Sequence, residues 1–538
     1  MDEKTMHERR WLTLGVLCLS LVAVILANTT LNVAIPTLQR DLGASSTSLQ
    51  WIVDAYALVF AGLLLTAGAL GDRFGRKGAL VIGLVIFGAA SAVSSLAGSA
   101  GQLIATRALM GVGAALVMPA TLSILTTVFP PHERGKAIGI WAGLAGAGAA
   151  LGPISSGWLL EHFWWGSVFL INVPVVLIAL VLGRSLVPSS RDPEQPPLDP
   201  TGALLSIAGL GLLLYAIIEA PTHGWTDPRT IGVAVASAVV LGAFAAWELR
   251  TRNPMLDLRL FRNRSFSAAS GAITLVFFAM FGTFFMLTQY FQLVLGYTAL
   301  EAGVRTIPMP LTMMLAAPTS ARFVQRFGPR RVVTAGLATV GSGLLLLSTA
   351  DVGTPYWVIA VSLVVMATGM GLSMAPSTTT IMASTPLGKA GVGSAVNDTT
   401  RELGGALGVA VLGSILASGF QSGVESGFGP LPESAGAAVS NGLGATLAVA
   451  GQIGGESGAQ LADAARQSFA DAMGSGLLVA AVVALVAAAV VARYFPARVH
   501  PPTGPETEPA PAPAPAPVLP ESASPVRQPV RAVVEARR

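Results

Sequence analysis

The chain has 538 residues, 53% of them hydrophobic and only 11% charged, with a formal net charge of +4 at neutral pH. A soluble protein carries about 25% charged residues, so a soluble globular fold is excluded and lipid is the solvent for most of this chain. Apolar runs recur from Trp11 to Arg493 without the alternation of a transmembrane strand, which excludes a barrel and predicts an all-α membrane protein.

About fourteen runs approach the ~20 residues that cross ~30 Å of hydrocarbon, the first centred near Val24 and the last near Ala484. Threading them in order gathers Lys4, Arg9, Arg10, Arg73, Arg76, Lys77, Arg134, Lys136, Arg184, Arg191, the arginines from 250 to 264, Arg326, Arg330, Arg331 and Lys389 on one face. The other face keeps little beyond Arg40, Arg229, Arg305 and Arg466. Basic loops stay on the cytoplasmic side, so both termini are expected in the cytoplasm. The positive balance needs no nucleic-acid partner to explain it.

The first run, Leu12 to Ile35, follows a basic start but is too long for a signal peptide and has no small-residue cleavage site after it, so it is read as a retained helix. Cys18 lies inside it; a lone cysteine allows no intrachain disulfide and reads as a packing residue. Asn28 and Asn32 are four apart and share a face, where they contact substrate or a neighbouring helix. In the second run, Asp54 follows Trp51 by one turn, at the outer end, as a proton site or a hydrated interfacial acid. Tyr56, two residues on, joins Asn28, Asn32 and Gln289 as candidates for the lining of a substrate cavity.

The second run ends in Gly68-Ala-Leu-Gly-Asp72-Arg73-Phe-Gly75-Arg76-Lys77. Gly75 permits a sharp turn, Asp72 is placed to cap the following helix, and the basic residues hold the loop at the cytoplasmic face. In the fourth run stands Arg107; a guanidinium within hydrocarbon costs roughly 2.5–3.5 kcal/mol unless paired or hydrated, so a functional role is the default reading. The fifth carries Gly148-xxx-Gly152-Pro153-xxx-Gly157, whose small residues let backbones touch while the proline bends the helix.

The chain up to 187 reads as one six-helix bundle, followed by a Pro-rich linker at 188–200, two inserted helices at 201–249 and a second six-helix bundle at 250–496. A shift of 253 positions lays Arg73-Phe74-Gly75 on Arg326-Phe327-Gly328 and Gly135-Lys136-Ala137 on Gly388-Lys389-Ala390, as a duplicated bundle requires. Gln325 stands where the acid of the loop would be repeated. A helix starting near Lys389 would carry Asp398, Arg401 and Glu402 to mid-membrane, ~14 Å in; a later start, near Leu403, would leave them in a loop. Residues 420–470 read as a long, flexible external loop with at most a short helix, and 497–538 as a disordered, Pro/Ala-rich cytoplasmic tail. No phosphate-binding GxxxxGK[ST] loop, metal-ligand spacing or nucleophile elbow occurs, so neither ATP, a metal nor an enzyme activity is expected.

The loop from Gly68 to Lys77 resembles the signature loop of the major facilitator superfamily. The fourth-helix segment around Arg107 resembles that superfamily's proton-transfer motif, and the Gly148 to Gly157 segment resembles the antiporter motif of its exporters. Leu26 to Pro36 resembles the first-helix motif of the fourteen-helix drug:proton antiporters, the EmrB/QacA type. That family usually has an aspartate where Ala27 stands, and its Trp-Arg-Trp is altered here to Trp165-Gly166-Ser167, although Phe169-Leu-Ile-Asn172-Val-Pro174 fits. The resemblance implies a major facilitator fold, with Asp72 and its arginines latching two halves that rock about a central site. It further implies efflux of lipophilic small molecules, cations among them, from the cytoplasm. A proton gradient would be the energy source in place of a cofactor, and the carrier would be a monomer in the cell membrane. Protons would bind Asp398, Glu402 or Asp54, tuned by Arg107 and Arg401. Export of one dedicated lipid, siderophore or metabolite fits the same frame; a non-transporting membrane sensor is the reading from another class.

Overall fold

A computed structural model of the chain describes residues 3–42, 46–191, 199–428, 436, 438–439 and 442–495. The expected tail at 497–538 and most of the linker at 188–200 lie outside the described residues, as do the side chains of Asn32 and Pro153. Among the described residues the architecture is helical, as the apolar runs demand: hydrocarbon offers no water to unpaired backbone groups, and a helix satisfies its own.

The helices run α1 (Glu3–Leu42), α2 (Ser46–Phe74), α3 (Arg76–Ser94), α4 (Ala100–Val128), α5 (Pro131–His162), α6 (Asn172–Leu186) and α7 (Pro200–His223). They continue as α8 (Pro228–Arg250), α9 (Arg264–Gln289), α10 (Pro308–Phe327), α11 (Pro329–Leu347), α12 (Tyr356–Ala383), α13 (Ala390–Phe428) and α14 (Gly455–Tyr494). Local signals set their starts. Ser99, Asp199, Asp227 and Asn263 each accept a hydrogen bond from a backbone N–H of the first turn, while Pro131, Pro200, Pro228, Pro308 and Pro329 open helices where no N–H is needed.

Twelve of the described helices are long and apolar enough to cross a membrane, against fourteen spans expected from the sequence. The two outside that set are α5, whose first turns carry His132, Glu133, Arg134 and Lys136, and α10, which bears Arg322, Gln325 and Arg326 near its end. Both are long helices packed in the interior seam. A methyl group at Gly139 of α5 would stand 2.7 Å from the Ala317 carbonyl oxygen of α10, and one at Gly143 would stand 3.1 Å from the Cα of Met314.

The duplication has a backbone counterpart. Gly75, between α2 and α3, has φ +120°, and Gly328, between α10 and α11, has φ +82°. Both positions demand a conformation that side chains with a Cβ rarely take, so the two loops turn by the same device. The inserted pair stacks outside this frame. Trp51 of α2 lies 6.1 Å from Tyr215 of α7, and Ser237 of α8 donates to the Gly209 carbonyl of α7 at 2.9 Å. Helix α8 is the least covered span, with 17% of its apolar window buried.

The reading of 420–470 as a flexible loop is corrected. Helix α13 continues to Phe428, a further helix spans Leu443–Ile453, and α14 begins at Gly455. At 39 and 40 residues, α13 and α14 extend roughly 60 Å each at 1.5 Å per residue, about twice the hydrocarbon thickness. Their outer ends pair through Phe420 and Phe469, 6.4 Å apart edge to face. Glycine, serine and alanine resemble a loop in composition, but alanine is the best helix former and small residues let two helices touch.

Helices α2 and α13 meet closely near the face that carries Arg76, Lys77 and Lys389 (the basic face). A methyl at Gly68 would stand 2.6 Å from the Gly391 carbonyl oxygen and 2.9 Å from the Ala395 Cβ. Overpacking of such a site costs about 1–3 kcal/mol. Gly68→Val should therefore reduce the population closed on the basic face by about tenfold. The readout is faster alkylation of a cysteine introduced as Ser394→Cys in a Cys18→Ser background, with membrane abundance preserved.

Candidate functional site

Two charged constellations lie along the α2–α13 seam. The first is at the basic face. Asp72, 4% exposed, accepts from the Gly391 backbone N–H at 2.8–2.9 Å and from that of Val392 at 3.2 Å. Arg76, 2% exposed, donates through Nε to Asp72 at 2.8 Å and through Nη1 to Thr127 at 2.7 Å. Its Nη2 reaches the carbonyls of Leu387 and Gly388 at 2.7 and 3.0 Å. A carboxylate at the start of a helix meets both unpaired N–H groups and the positive end of the helix dipole.

Asp72 was expected to cap the following helix. It caps α13 instead, from its place on the last turn of α2, and α3 has no side-chain cap. Arg76 grips the residues just before α13, so one acid–base pair holds both sides of that helix start. Lys77 donates to the Arg184 carbonyl at 2.8 Å, tying α3 to the end of α6. Arg73 lies 5.4 Å from the Phe74 ring. Gln325, in the second loop, is exposed, so the latch exists in one copy.

The second constellation is in the middle of the bundle. Arg107, fully buried, donates through Nε to the Ile52 carbonyl at 3.1 Å. Its Nη atoms approach the Ala27 carbonyl and the Asn28 amide oxygen at 3.5 Å, and its guanidinium lies 4.4 Å from the centre of the Tyr56 ring. At Ala27, where the antiporter family carries an aspartate, a backbone carbonyl faces the arginine. Tyr56, 2% exposed, also stacks on Phe60 at 5.7 Å along its own helix.

Helix α13 starts at Ala390, which settles the depth of its charges. Asp398, Arg401 and Glu402 sit on the third and fourth turns, ~12–18 Å in at 1.5 Å per residue. Asp398 is 1% exposed and Arg401 4%, while Glu402 is half-buried. The Asp398 Oδ1 accepts from the Asn397 amide at 3.1 Å and stands 3.6 Å from Arg401 Nη1. Asn397 in turn accepts from Thr378 of α12 at 2.9 Å. Asp398 Oδ2 and the Arg401 Nε and Nη2 groups are buried with no hydrogen-bond partner among the described residues. Two aromatic rings flank the Arg401 guanidinium, Trp141 of α5 at 4.7 Å and Phe277 of α9 at 5.3 Å.

The remaining candidates separate. Asp54 is half-buried and lies about 200° around α2 from Tyr56. Gln289 is the last residue of α9, where the helix passes into a wider turn over Tyr290–Val294, and its amide donates to the Phe285 carbonyl at 3.2 Å. It follows α9 outward past the level of Phe277. In the glycine motif of α5, a methyl at Gly148 would stand 3.4 Å from Ile25 of α1, and one at Gly152 would overlap Thr29. A methyl at Gly157 would stand an ordinary 3.8 Å from Leu300, so close approach belongs to Gly152. Trp141 and Phe277 were not singled out from the sequence. Trp141 is the one aromatic residue between Gly135 and Gly157 of a glycine-rich helix, and that contrast was the available signal.

The family model described as Major Facilitator Superfamily matches residues 17–409. Among curated relatives, the multidrug efflux pump LfrA of Mycolicibacterium smegmatis is 39% identical over 478 residues, 88% of this chain and 94% of the relative. The methyl viologen resistance protein SmvA of Salmonella typhimurium is 36% identical over 470 residues, 86% and 93% of the two chains. Among solved structures, the human organic anion transporter MFSD10 (TETRAN) shares the fold, with a TM-score of 0.61 at 15% identity over 91% of this chain and 100% of that one.

Proposed function

The chain belongs to the major facilitator superfamily and is a multi-pass membrane transporter rather than an enzyme; on that premise we propose that it exports lipophilic small molecules, cations among them, in exchange for protons. The relatives named as a multidrug efflux pump and a methyl viologen resistance protein support export, and methyl viologen is itself a cation. In this reading the basic face is cytoplasmic in the cell membrane, and a single chain is the working unit.

The observation that carries the reading is the buried Asp398–Arg401 pair on α13, with Glu402 one position further on and Trp141 of the other half against Arg401. Charges at mid-membrane are costly unless neutralised, and among the described residues Asp398 has one oxygen paired and one unpaired. A proton arriving from outside removes the charge of Asp398 or Glu402 and loosens its hold on Arg401. A bound cation does the same by pairing. Proton and substrate therefore exclude each other at one place, which is what antiport requires.

Alternation follows from the latch. With Asp72 on the start of α13, the halves are joined at the basic face, and α13 carries the acids away from the latch on one rigid element. Opening toward the cytoplasm requires Asp72 and Arg76 to release that helix. The acid state and the latch are thereby linked through α13, a two-state element that both bias.

Accumulation of a fluorescent lipophilic cation in cells expressing the protein tests this directly. Wild type should keep the dye out, and a protonophore should abolish that exclusion. Efflux indifferent to the protonophore would reject proton coupling. Uptake of the dye, driven inward, would reject the direction.

A further inference from the structure

The Arg401 guanidinium occupies a slot with unusual walls. Its Cζ lies 4.7 Å from the centre of the Trp141 ring and 5.3 Å from that of the Phe277 ring, and Asp398 Oδ1 stands 3.6 Å from its Nη1. Trp141 is fully buried and held by its indole N–H on Thr121 at 3.2 Å. The slot is thus assembled from α5, α9 and α13, with α4 fixing the tryptophan. At ten residues into α5 and eleven into α13, both partners sit roughly 15 Å from the basic face.

The hydrogen bonding of this arginine is incomplete. Its Nε and Nη2 groups have no partner among the described residues, and Asp398 Oδ2 has none either. Arg107, by contrast, spends its donors on two carbonyls and an amide. A buried guanidinium held by aromatic faces and one carboxylate oxygen fits the slot by charge and shape more than by directed bonds. Aromatic faces beside a carboxylate form the kind of box that takes organic cations, which lack N–H donors altogether. A delocalised cation with aromatic substituents would stack on Trp141 and Phe277 and would not need the directed bonds that Arg401 leaves unmade.

We propose that Arg401 is a tethered cation filling the binding slot for the charged group of cationic substrates, and that such a substrate binds by displacing it from beside Trp141 and Phe277. This rests on the export reading above and assigns the cation subsite within it. In the empty carrier Arg401 keeps the acids from standing unpaired. When a substrate cation enters, Arg401 swings out, and its charge moves toward Glu402, on the next position of α13. Neutral substrates have no charge to compete with Arg401 and leave it in place. Selectivity for cations therefore belongs to Trp141 and Phe277, with Arg401 as a competitor.

Equilibrium binding to the purified full-length protein tests the assignment, with tetraphenylphosphonium as the cation and triphenylphosphine oxide as a neutral analogue. Arg401→Gln should tighten the cation by about tenfold and change the neutral analogue by less than about threefold, the size of one desolvated cation–π contact being the guide. Removing a positive charge near two acids would also favour a cation anywhere nearby, so Trp141→Leu is combined with it. In the displaced-cation scheme the double variant loses the whole gain, whereas Trp141→Phe keeps it within about threefold. Retained binding of the neutral analogue shows that each variant is folded. The proposal is overturned if Arg401→Gln leaves the cation affinity unchanged or weaker, or if its gain persists in the Trp141→Leu background. Loss of protonophore sensitivity in cells would count against the antiport reading and leave this binding measurement standing.

Discussion

Asp72→Asn is expected to abolish export while leaving the protein in the membrane. The carboxylate accepts two backbone N–H groups of α13 and the Nε of Arg76 in a site 4% exposed. Asparagine keeps one acceptor oxygen but turns an amide toward donors, and Arg76 loses its counter-charge. Breaking one side of a buried pair costs about 3–5 kcal/mol, which moves a two-state equilibrium by a factor of roughly 10² to 10³. Spin-label distances across the basic face between α2 and α13 should lengthen in the variant. Gln325→Ala is the control. That exposed residue, at the matching place in the second loop, should change neither distance nor export.

The second large effect concerns the acids on α13. Asp398→Asn and Glu402→Gln each remove a charge without changing the shape of the side chain. Each should lower protonophore-sensitive efflux at least tenfold, the scale of losing one buried charge pair. Exchange of labelled for unlabelled substrate across vesicles, which needs no net proton movement, should continue. That split separates a coupling residue from one that merely supports the fold, since a collapsed site would lose both. Asp54→Asn, on the other side of α2 from Tyr56, should retain efflux at close to the wild-type rate.

Much of this was legible in the sequence. Run lengths gave the helices. The paired glycines, Gly75 and Gly328, turned out to share a positive φ, so the repeat marked a real backbone requirement. The depth of Asp398 followed from one decision, that a helix starts beside Lys389, and the start at Ala390 bears it out. What stayed hidden is tertiary. Asp72 and Gly391 are 319 positions apart, and nothing local to the loop says that its acid will cap a helix in the other half. Trp141 faces Arg401 for the same reason, since only the packing of α5 on its neighbours brings the ring there. The outer segment after Phe420 was misread because glycine, serine and alanine suit both a mobile loop and a tightly paired helix, and a partner decides between them.

Proton movement in proteoliposomes bears most directly on the account. A pH-sensitive dye is trapped inside vesicles holding the purified protein, and a lipophilic cation is added outside with no imposed gradient. Substrate entering through the carrier should drive protons out, so the lumen turns alkaline in wild type, and the change should be absent in the Asp398→Asn, Glu402→Gln double variant. Substrate flux of normal rate with no change in lumenal pH would contradict exchange at the α13 acids.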